Sequence, residues 1–515
     1  MTFEKPYLCA VDAGTASIRV GLFDAKGRPI AFSVKEYATV FPKPGWAEQD
    51  PDEWWRCLVA ATRESLKKGD VNPKDVAAIS VDGTSSTVVC LDENGHHLRS
   101  ALLWMDNRSS LQSQQIFNTN HPVLKRSLAG VSAEWMIPKL LWLKDNDADT
   151  FERTRYFMEQ ADYLTYRLTG LFALSINHIT HRWFYNDRQG GWPVDFYNAI
   201  GLKEVVRKFP TRILRLGELA GELSSAAGEA MGLRPGTRVA EGGCDAYVGM
   251  LGLDVTKPGR AAFIAGSSHL VLPITDKEIN IKGIFGAHPD CVIPGLFVLE
   301  GGQVSSGSIV KWFKDNFAVE ERAEAQRRNI DPYDVLTEKA AKVPIGSEGL
   351  IVMDYWQGNR NPYTDYRVQG AIWGLTLKHR AEHVFRAILE GVAFGTENIL
   401  RTLSENGLHV GALYISGGTA KSEFWLQMHA DVSNIPIYVP EFTEATILGT
   451  AICAATGAGI YKDLAEAAGN MVRVKRVVEP KVANHSTYEF YFDKYRRTYP
   501  ALREMMYEMS DRPDR

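Results

Sequence analysis

Short apolar runs that end in glycine-rich turns occur in both halves of this 515-residue chain, and this pattern constrains its fold more than any other feature. In the first half, Tyr7 to Val11, Ser17 to Asp24 and Ile30 to Tyr37 read as strands, with Gly14 and Gly27 at the turns. Asp50-Pro51-Asp52 predicts a helix start, and Trp54, Leu58, Ala61 and Leu66 recur at helical spacing up to Gly69-Asp70. Val76 to Val81 is almost wholly apolar before Asp82 and predicts a buried strand. In the second half, Arg260 to Ala265 leads into Gly266-Ser267-Ser268, and Val384 to Leu403 has the period of a long helix. Leu413 to Ser416 then ends in Gly417-Gly418, and Lys421 to Ser433 resumes a helix. The class is α/β. Two architectures satisfy the pattern: a duplicated unit with a cleft and a break near Leu253 to Gly259, or one large α/β enzyme with glycine-rich turns.

Length allows two to four domains. Apolar residues at 45% and charged residues at 23% give an ordinary globular mix. The net charge of -4, without a basic tract, argues against a nucleic-acid partner, since phosphate binding needs clustered Lys and Arg. Six cysteines stand singly at 9, 57, 90, 244, 291 and 453, a spacing that suits neither a disulfide framework nor a zinc site. The start lacks a signal-peptide apolar segment, and no stretch reaches the roughly 20 apolar residues of a membrane span. The expectation is a cytoplasmic protein without a membrane partner.

Four places carry residues suited to chemistry. Asp12-Ala13-Gly14-Thr15-Ala16-Ser17 can hold a cation on its carboxylate and turn backbone N–H groups toward a phosphate, or it can be a plain hairpin turn. Gly266-Ser267-Ser268 and Ile415-Ser416-Gly417-Gly418-Thr419 follow the same logic. Neither GxxxxGK[ST] nor a GxGxxG-opened βαβ unit is present, which excludes a Walker loop and weakens a dinucleotide reading. Asp245, in Glu241-Gly242-Gly243-Cys244-Asp245-Ala246, suits a general base for an alcohol, or a cap on a helix that starts at Ala246. Trp104-Met105-Asp106-Asn107-Arg108 offers an apolar ring and polar groups for a polyol, or a core tryptophan beside a surface pair. His178 and His181 have no third ligand nearby, so a metal site is not expected there.

Taken together, these motifs resemble the FGGY family of carbohydrate kinases, of the actin-like, sugar-kinase and chaperone ATPase superfamily. The match runs through AVDAGTASIRVGLFD, GWAEQDPDEWW, ISVDGTSSTVVCLDENG and LLWMDNRSS, then PKLLWLKDN, ADYLTYRLTG and EGGCDAYVGMLG. It continues through AGSSHLVL, VLEGGQVSSGSIVKWF, ISGGTAKSEFWLQMHAD and EATILGTAI. The resemblance implies two ribonuclease-H-like lobes around a cleft, residues 1–254 binding sugar and 255–515 binding ATP with Mg²⁺. It makes Asp245 the catalytic base and Asp12 the metal-organising residue. Gly14, Thr15 and Ser17 form one phosphate turn, Gly266, Ser267 and Ser268 the second, and Gly417, Gly418 and Ser422 the nucleotide contacts.

Asp354 to Pro362, Ala133-Glu134-Trp135 and Leu299 to Gln303 look like the ribulokinase branch. His181-Arg182-Trp183 falls where that branch carries a His-Lys or similar pair, and arginine keeps the charge but changes the donor geometry. Pro332 to Glu338 with Val343 to Gly346 look instead like the autoinducer-2 kinase branch, whose acceptor is a small linear dihydroxy-diketone. A ketopentose such as ribulose is the expected acceptor. Expected contacts are Thr84, Trp104, Asp106, Glu134, Arg182, Asp245, Glu300 and Gln303. The alternatives are another polyol or autoinducer-2 as acceptor, or a nucleotide-regulated binding or chaperone protein on the same fold. A homodimer is compatible with the family's habits.

Overall fold

The computed structural model describes residues 3–128 and 130–512. Strands β1 (Tyr7–Ala13), β2 (Ser17–Phe23) and β3 (Pro29–Glu36) form an antiparallel meander. Helix α1 (Pro51–Gly69) follows, with the Asp50 side chain capping it from 3.0 Å and Trp54, Leu58 and Ala61 fully buried on one face. Strand β4 (Val76–Gly83) then enters parallel to β1. It is covered on both faces, which is why its sequence is a continuous apolar run. A long excursion carries α2 (Met136–Asn146), α3 (Gln160–Thr169) and α4 (Ile176–Arg182). The chain returns as β5 (Leu219–Glu222) and β6 (Arg238–Ala240), completing a sheet of order β5-β6-β4-β1-β2-β3, and ends the lobe in α5 (Asp245–Gly252).

The second half repeats the plan. Strands β7 (Arg260–Ala265), β8 (His269–Thr275), β9 (Phe285–Pro289) and β10 (Phe297–Gln303) pair antiparallel, and α6 (Ala381–Glu405) crosses back to β11 (Ala412–Ser416), parallel to β7. Helix α7 (Glu423–Ser433) leads to β12 (Ile437–Pro440), α8 (Ala445–Gly457), β13 (Val474–Val478) and α9 (Val482–Ser510). The order is β9-β10-β8-β7-β11-β12-β13. Thus β3-β2-β1-β4-β6 and β10-β8-β7-β11-β12 superpose in order and sense, and the duplicated, ribonuclease-H-like reading holds over the single-unit one. Helix α7 starts two residues later than its apolar pattern predicts. Gly418–Lys421 forms a separate 3-10 turn, and the Ser422 hydroxyl caps the helix from 3.3 Å.

The corresponding helices α5 and α8 cross between the two sheets. Leu8, Ala10 and Ala78 from the first sheet and Ala262, Leu272 and Ile274 from the second enclose Val248, Leu251, Ile447 and Leu448 in one core. The crossing is close because it is built on glycine: a Cβ at Gly252 would lie 1.8 Å from the Ala445 carbonyl oxygen, and one at Gly449 2.0 Å from that of Val248. Among the described residues, no helix is long and apolar enough to cross a membrane.

Candidate active site

The register of β1 and β4 sets Asp12 directly against Asp82. Asp82 is fully buried; one carboxyl oxygen accepts from the Thr450 hydroxyl of α8, and the other has no partner among the described residues. Asp245 is the first residue of α5, where the helix dipole favours an anion, and its Oδ1 accepts from the Ala246 N–H at 2.6 Å. Burial raises all three carboxyls above their usual range. Asp12 reaches about 6, with burial first, the Asp245 charge second, and Arg19 opposing both. Asp82 goes well above the ordinary range through burial and then Asp12. Three carboxylates that resist simultaneous ionisation, with a buried oxygen left unpaired, suit a hard divalent cation.

A turn follows the first strand of each sheet, after β1 in one lobe and after β7 in the other. The Gly14 N–H bonds the Ser17 carbonyl at 3.0 Å, and the Gly266 N–H bonds the Ser268 carbonyl at 3.0 Å, so each lobe carries a tight turn at this place, the second one residue shorter. Parallel pairing of Ile264 with Ser416 brings Gly266 and Gly417 to neighbouring strand ends. Gly417 has a φ of 99° and lies so near the Ala265 carbonyl that a Cβ would approach within 2.5 Å. A Cβ at Gly418 would meet only open space, and Gly266, Ser267, Ser268, Gly417 and Gly418 are all exposed. Accessible backbone amides at the carboxyl ends of parallel strands suit a polyphosphate.

Residues 7–252 match the FGGY family of carbohydrate kinases, N-terminal domain, and residues 261–458 match its C-terminal domain. The chain belongs to the FGGY family of carbohydrate kinases. It is therefore a sugar kinase of the family that uses ATP as phosphate donor, with a small-molecule acceptor. It is 29% identical to the FGGY carbohydrate kinase domain-containing protein of Xenopus laevis, covering 96% of this chain and 95% of that one. It is 30% identical to a ribulokinase of Anoxybacillus flavithermus, at 95% and 93% coverage, and 31% identical to an autoinducer-2 kinase of Escherichia coli, at 96% and 94%. The structure of a xylulose kinase from Rhodospirillum rubrum shares the fold with a TM-score of 0.86, at 24% identity over 97% of this chain and 99% of that one.

In this FGGY kinase a buried ion-pair cluster spans the lobes beside Asp245. Glu300, on β10, accepts from Arg182 of α4 at 3.0 Å, from Arg360, and from the Tyr247 hydroxyl at 3.0 Å. Burial would raise the Glu300 carboxyl, but the Arg182 and Arg360 guanidinium groups override it and hold it at about 2. Arg182 lies over the Trp135 ring at 5.1 Å, and one of its terminal nitrogens is buried without a partner among the described residues. His181 stacks on Tyr247 at 4.5 Å, and burial holds it neutral.

The sequence-predicted residues fall into two groups. Asp12 and Asp245 stand at a strand end and a helix start, Gly266, Gly417 and Gly418 are exposed at strand ends, and Arg182 and Glu300 pair with each other across the lobes. Thr84, Asp106 and Gln303 have their polar groups engaged inside the protein. The Thr84 N–H and hydroxyl both bond Gln160, at 3.0 and 2.9 Å. Asp106 is clamped by Arg108 and the Ala47 N–H. Gln303 bonds Thr396, Asp354 and the Val392 carbonyl at 2.7, 2.8 and 2.9 Å. Thr15 accepts from the Trp104 indole at 3.0 Å, tying the aromatic loop to the first turn, and Ser422 is spent as the α7 cap. Glu134 is partly exposed and bonds Ser132.

Asp82 escaped the sequence reading, and so did a buried lysine that holds the Trp104 loop. Asp82 was visible in principle: Val-Asp-Gly-Thr at 81–84 repeats the strand-then-aspartate ending of Val-Asp-Ala-Gly-Thr at 11–15. Lys139 was not. Its fully buried ammonium donates to the Ser86, Leu103 and Trp104 carbonyls at 2.9, 2.6 and 3.3 Å, and burial lowers it to about 8. Only the fold brings those carbonyls together.

Proposed function

We propose that this kinase phosphorylates a ketopentose such as ribulose, with Asp245 as general base, residues 1–254 holding the sugar and residues 255–515 the nucleotide. The Arg182–Glu300–Arg360 cluster carries the reading. Tyr247 ties it to α5, the same helix turn that begins with Asp245, so acceptor anchor and base share one rigid element. The unpartnered Arg182 nitrogen calls for an acceptor oxygen on the ligand, and a keto or hydroxyl oxygen of an open-chain pentulose supplies it.

Asp12 and Asp82 would hold Mg²⁺, which supplies charge neutralisation at the phosphates. The Gly14 and Gly266 turns position phosphate oxygens with backbone N–H groups. Asp245 accepts the proton of the attacking hydroxyl as the oxygen–phosphorus bond forms. Closure of the lobes excludes water, the competing acceptor.

A coupled ADP-release screen across ketopentoses, ketohexoses, pentitols, tetritols, glycerol and the autoinducer-2 precursor tests this. Ribulose or another ketopentose should give the highest kcat/KM, and Asp245→Asn should lower that turnover about a thousandfold or more while ATP still binds. Preference for the autoinducer-2 precursor would move the chain toward its 31% identical relative. Absence of acceptor-dependent ADP release across the panel would overturn the assignment.

A further inference from the structure

Strand β9 is the edge of the second sheet, and it lies against the first lobe together with the two residues that follow it. Phe285 meets the Trp135 ring at 5.5 Å, Asp290 accepts two hydrogen bonds from Arg188 at 2.8 Å, and the Cys291 carbonyl accepts from the Asn177 side chain at 2.6 Å. His288 is the only polar side chain within the strand, and it is buried in this seam.

A bulge aims it. Three steps along β9, from Phe285 to His288, oppose two along β10, from Glu300 to Val298. Gly286, inside the bulge, has a φ of 116°, and a Cβ there would lie 2.8 Å from the Val298 carbonyl oxygen, so this stretch of backbone needs glycine. In a regular strand Phe285 and His288 would point to opposite faces. Here both turn to the Arg182–Glu300–Arg360 cluster. Phe285 lies under the Arg360 guanidinium at 5.6 Å, and His288 meets the rings of His181 and Tyr247 at 5.9 and 6.3 Å.

Neither ring nitrogen of His288 has a hydrogen-bond partner among the described residues. The Thr180 carbonyl of α4 faces the ring but stops short of a hydrogen bond. Two unpaired polar atoms on one buried ring cost stability, a cost that an apolar side chain of similar size would avoid. A terminal nitrogen of Arg182 is unpaired at the same seam. Burial first, and then the Arg182 charge, hold the imidazole neutral, down to about 3, so one nitrogen donates and the other accepts. A hydroxyl can answer either nitrogen, and a seam between lobes is where a ligand enters and is enclosed.

We infer that His288 is a specificity residue for the acceptor: it hydrogen-bonds a hydroxyl of the sugar other than the one phosphorylated, beside the oxygen that Arg182 takes. The acceptor then carries an oxygen for Arg182 and a hydroxyl for His288, as well as the hydroxyl that attacks phosphorus. This rests on the Arg182–Glu300–Arg360 cluster being the acceptor anchor.

The test uses the full-length enzyme and the acceptor of the panel above that it turns over fastest, together with the single-deoxy analogues of that acceptor. Wild type should lose about 10- to 100-fold in kcat/KM on the analogue that lacks the hydroxyl bonded by His288. His288→Leu should lose as much on the parent acceptor, mostly in KM, and should no longer distinguish that analogue from the parent. Its KM for ATP should stay within about twofold of wild type. His288→Gln, which keeps a donor and an acceptor, should recover about fivefold or more of the loss. In ring-¹⁵N-labelled wild type without ATP, saturating acceptor should shift the resonances that His288→Gln lacks, and this readout decides where His288→Leu folds poorly. Resonances unmoved by the acceptor, a His288→Leu penalty equal across the parent and all analogues, or an equal rise in KM for ATP overturns the inference. An enzyme that phosphorylates no acceptor of the panel would instead remove the anchor reading beneath it.

Discussion

Asp12 and Asp82 stand opposite one another across the parallel pair β1 and β4, and the hydroxyl of Thr450, from the last helix of the crossing pair, closes on Asp82 from the other lobe. Both carboxylates sit at strand ends that the parallel register forces to the same height. That register makes one acidic floor from residues 70 positions apart in the chain, and it links the floor to lobe geometry through a single hydroxyl.

Asp82→Asn preserves shape and the Thr450 contact but removes half of the paired charge. The Mg²⁺ concentration for half-maximal turnover should rise about 10- to 100-fold, with KM for the sugar little changed. A metal titration of initial rates measures it. An unchanged Mg²⁺ requirement would show that Asp82 serves only to link β4 to α8.

How far the sequence discloses this site differs residue by residue. Asp245, at a helix start, and Gly266 and Gly417, at strand ends, stand beside small residues, so local pattern marks them and the family motif names them. The α1 start at Asp50 and the buried faces of α1 and α6 follow from caps and spacing alone. The likeness of Val-Asp-Gly-Thr to the Asp12 motif marks Asp82, but that the two carboxylates meet depends on the register between two strands, which local pattern does not encode. Thr84, Asp106 and Gln303 carry the right chemistry in the right neighbourhood, yet their partners at Gln160, Arg108 and Asp354 decide their role. Among these, Gln160 and Asp354 are distant in sequence. Lys139 looks like any lysine in a helix until the fold encloses it.

The glycines at the α5–α8 crossing make a second prediction. Gly252→Ala places a methyl 1.8 Å from a backbone carbonyl that cannot rotate aside, so the helices must separate and the shared core must open. The expected destabilisation is about 3 kcal/mol or more, the upper end of overpacking. Gly469→Ala is the control: it is helical, with nothing within 4 Å of the new Cβ, and should stabilise by about 0.5–1 kcal/mol. Thermal midpoints of the two variants should therefore move in opposite directions. A Gly252→Ala midpoint equal to wild type would show that the crossing has slack.

The third prediction concerns pH. Asp354 is buried, accepts from Tyr495 of α9 at 2.6 Å and from Gln303 at 2.8 Å, and burial pushes its carboxyl up to about 6 despite both donors. Its folded pKa lies above its ordinary value of 3.8, so the folded state binds the proton more tightly than the unfolded chain does. The resulting stabilisation is complete below about pH 4 and is lost as pH rises through about 6. The shift of about 2 pK units sets the size of that loss at no more than about 3 kcal/mol. Asp354→Asn stays neutral at every pH and removes the dependence. The variant should be level with wild type or weaker at pH 4.5, and should gain on it as pH rises through about 6 and then level off, because all other titrating groups cancel in the comparison. Denaturant unfolding of both proteins across that range measures the gap. A gap that stays constant with pH would mean that the Asp354 carboxyl is already ionised in the folded state, with Gln303 and Tyr495 binding its charged form.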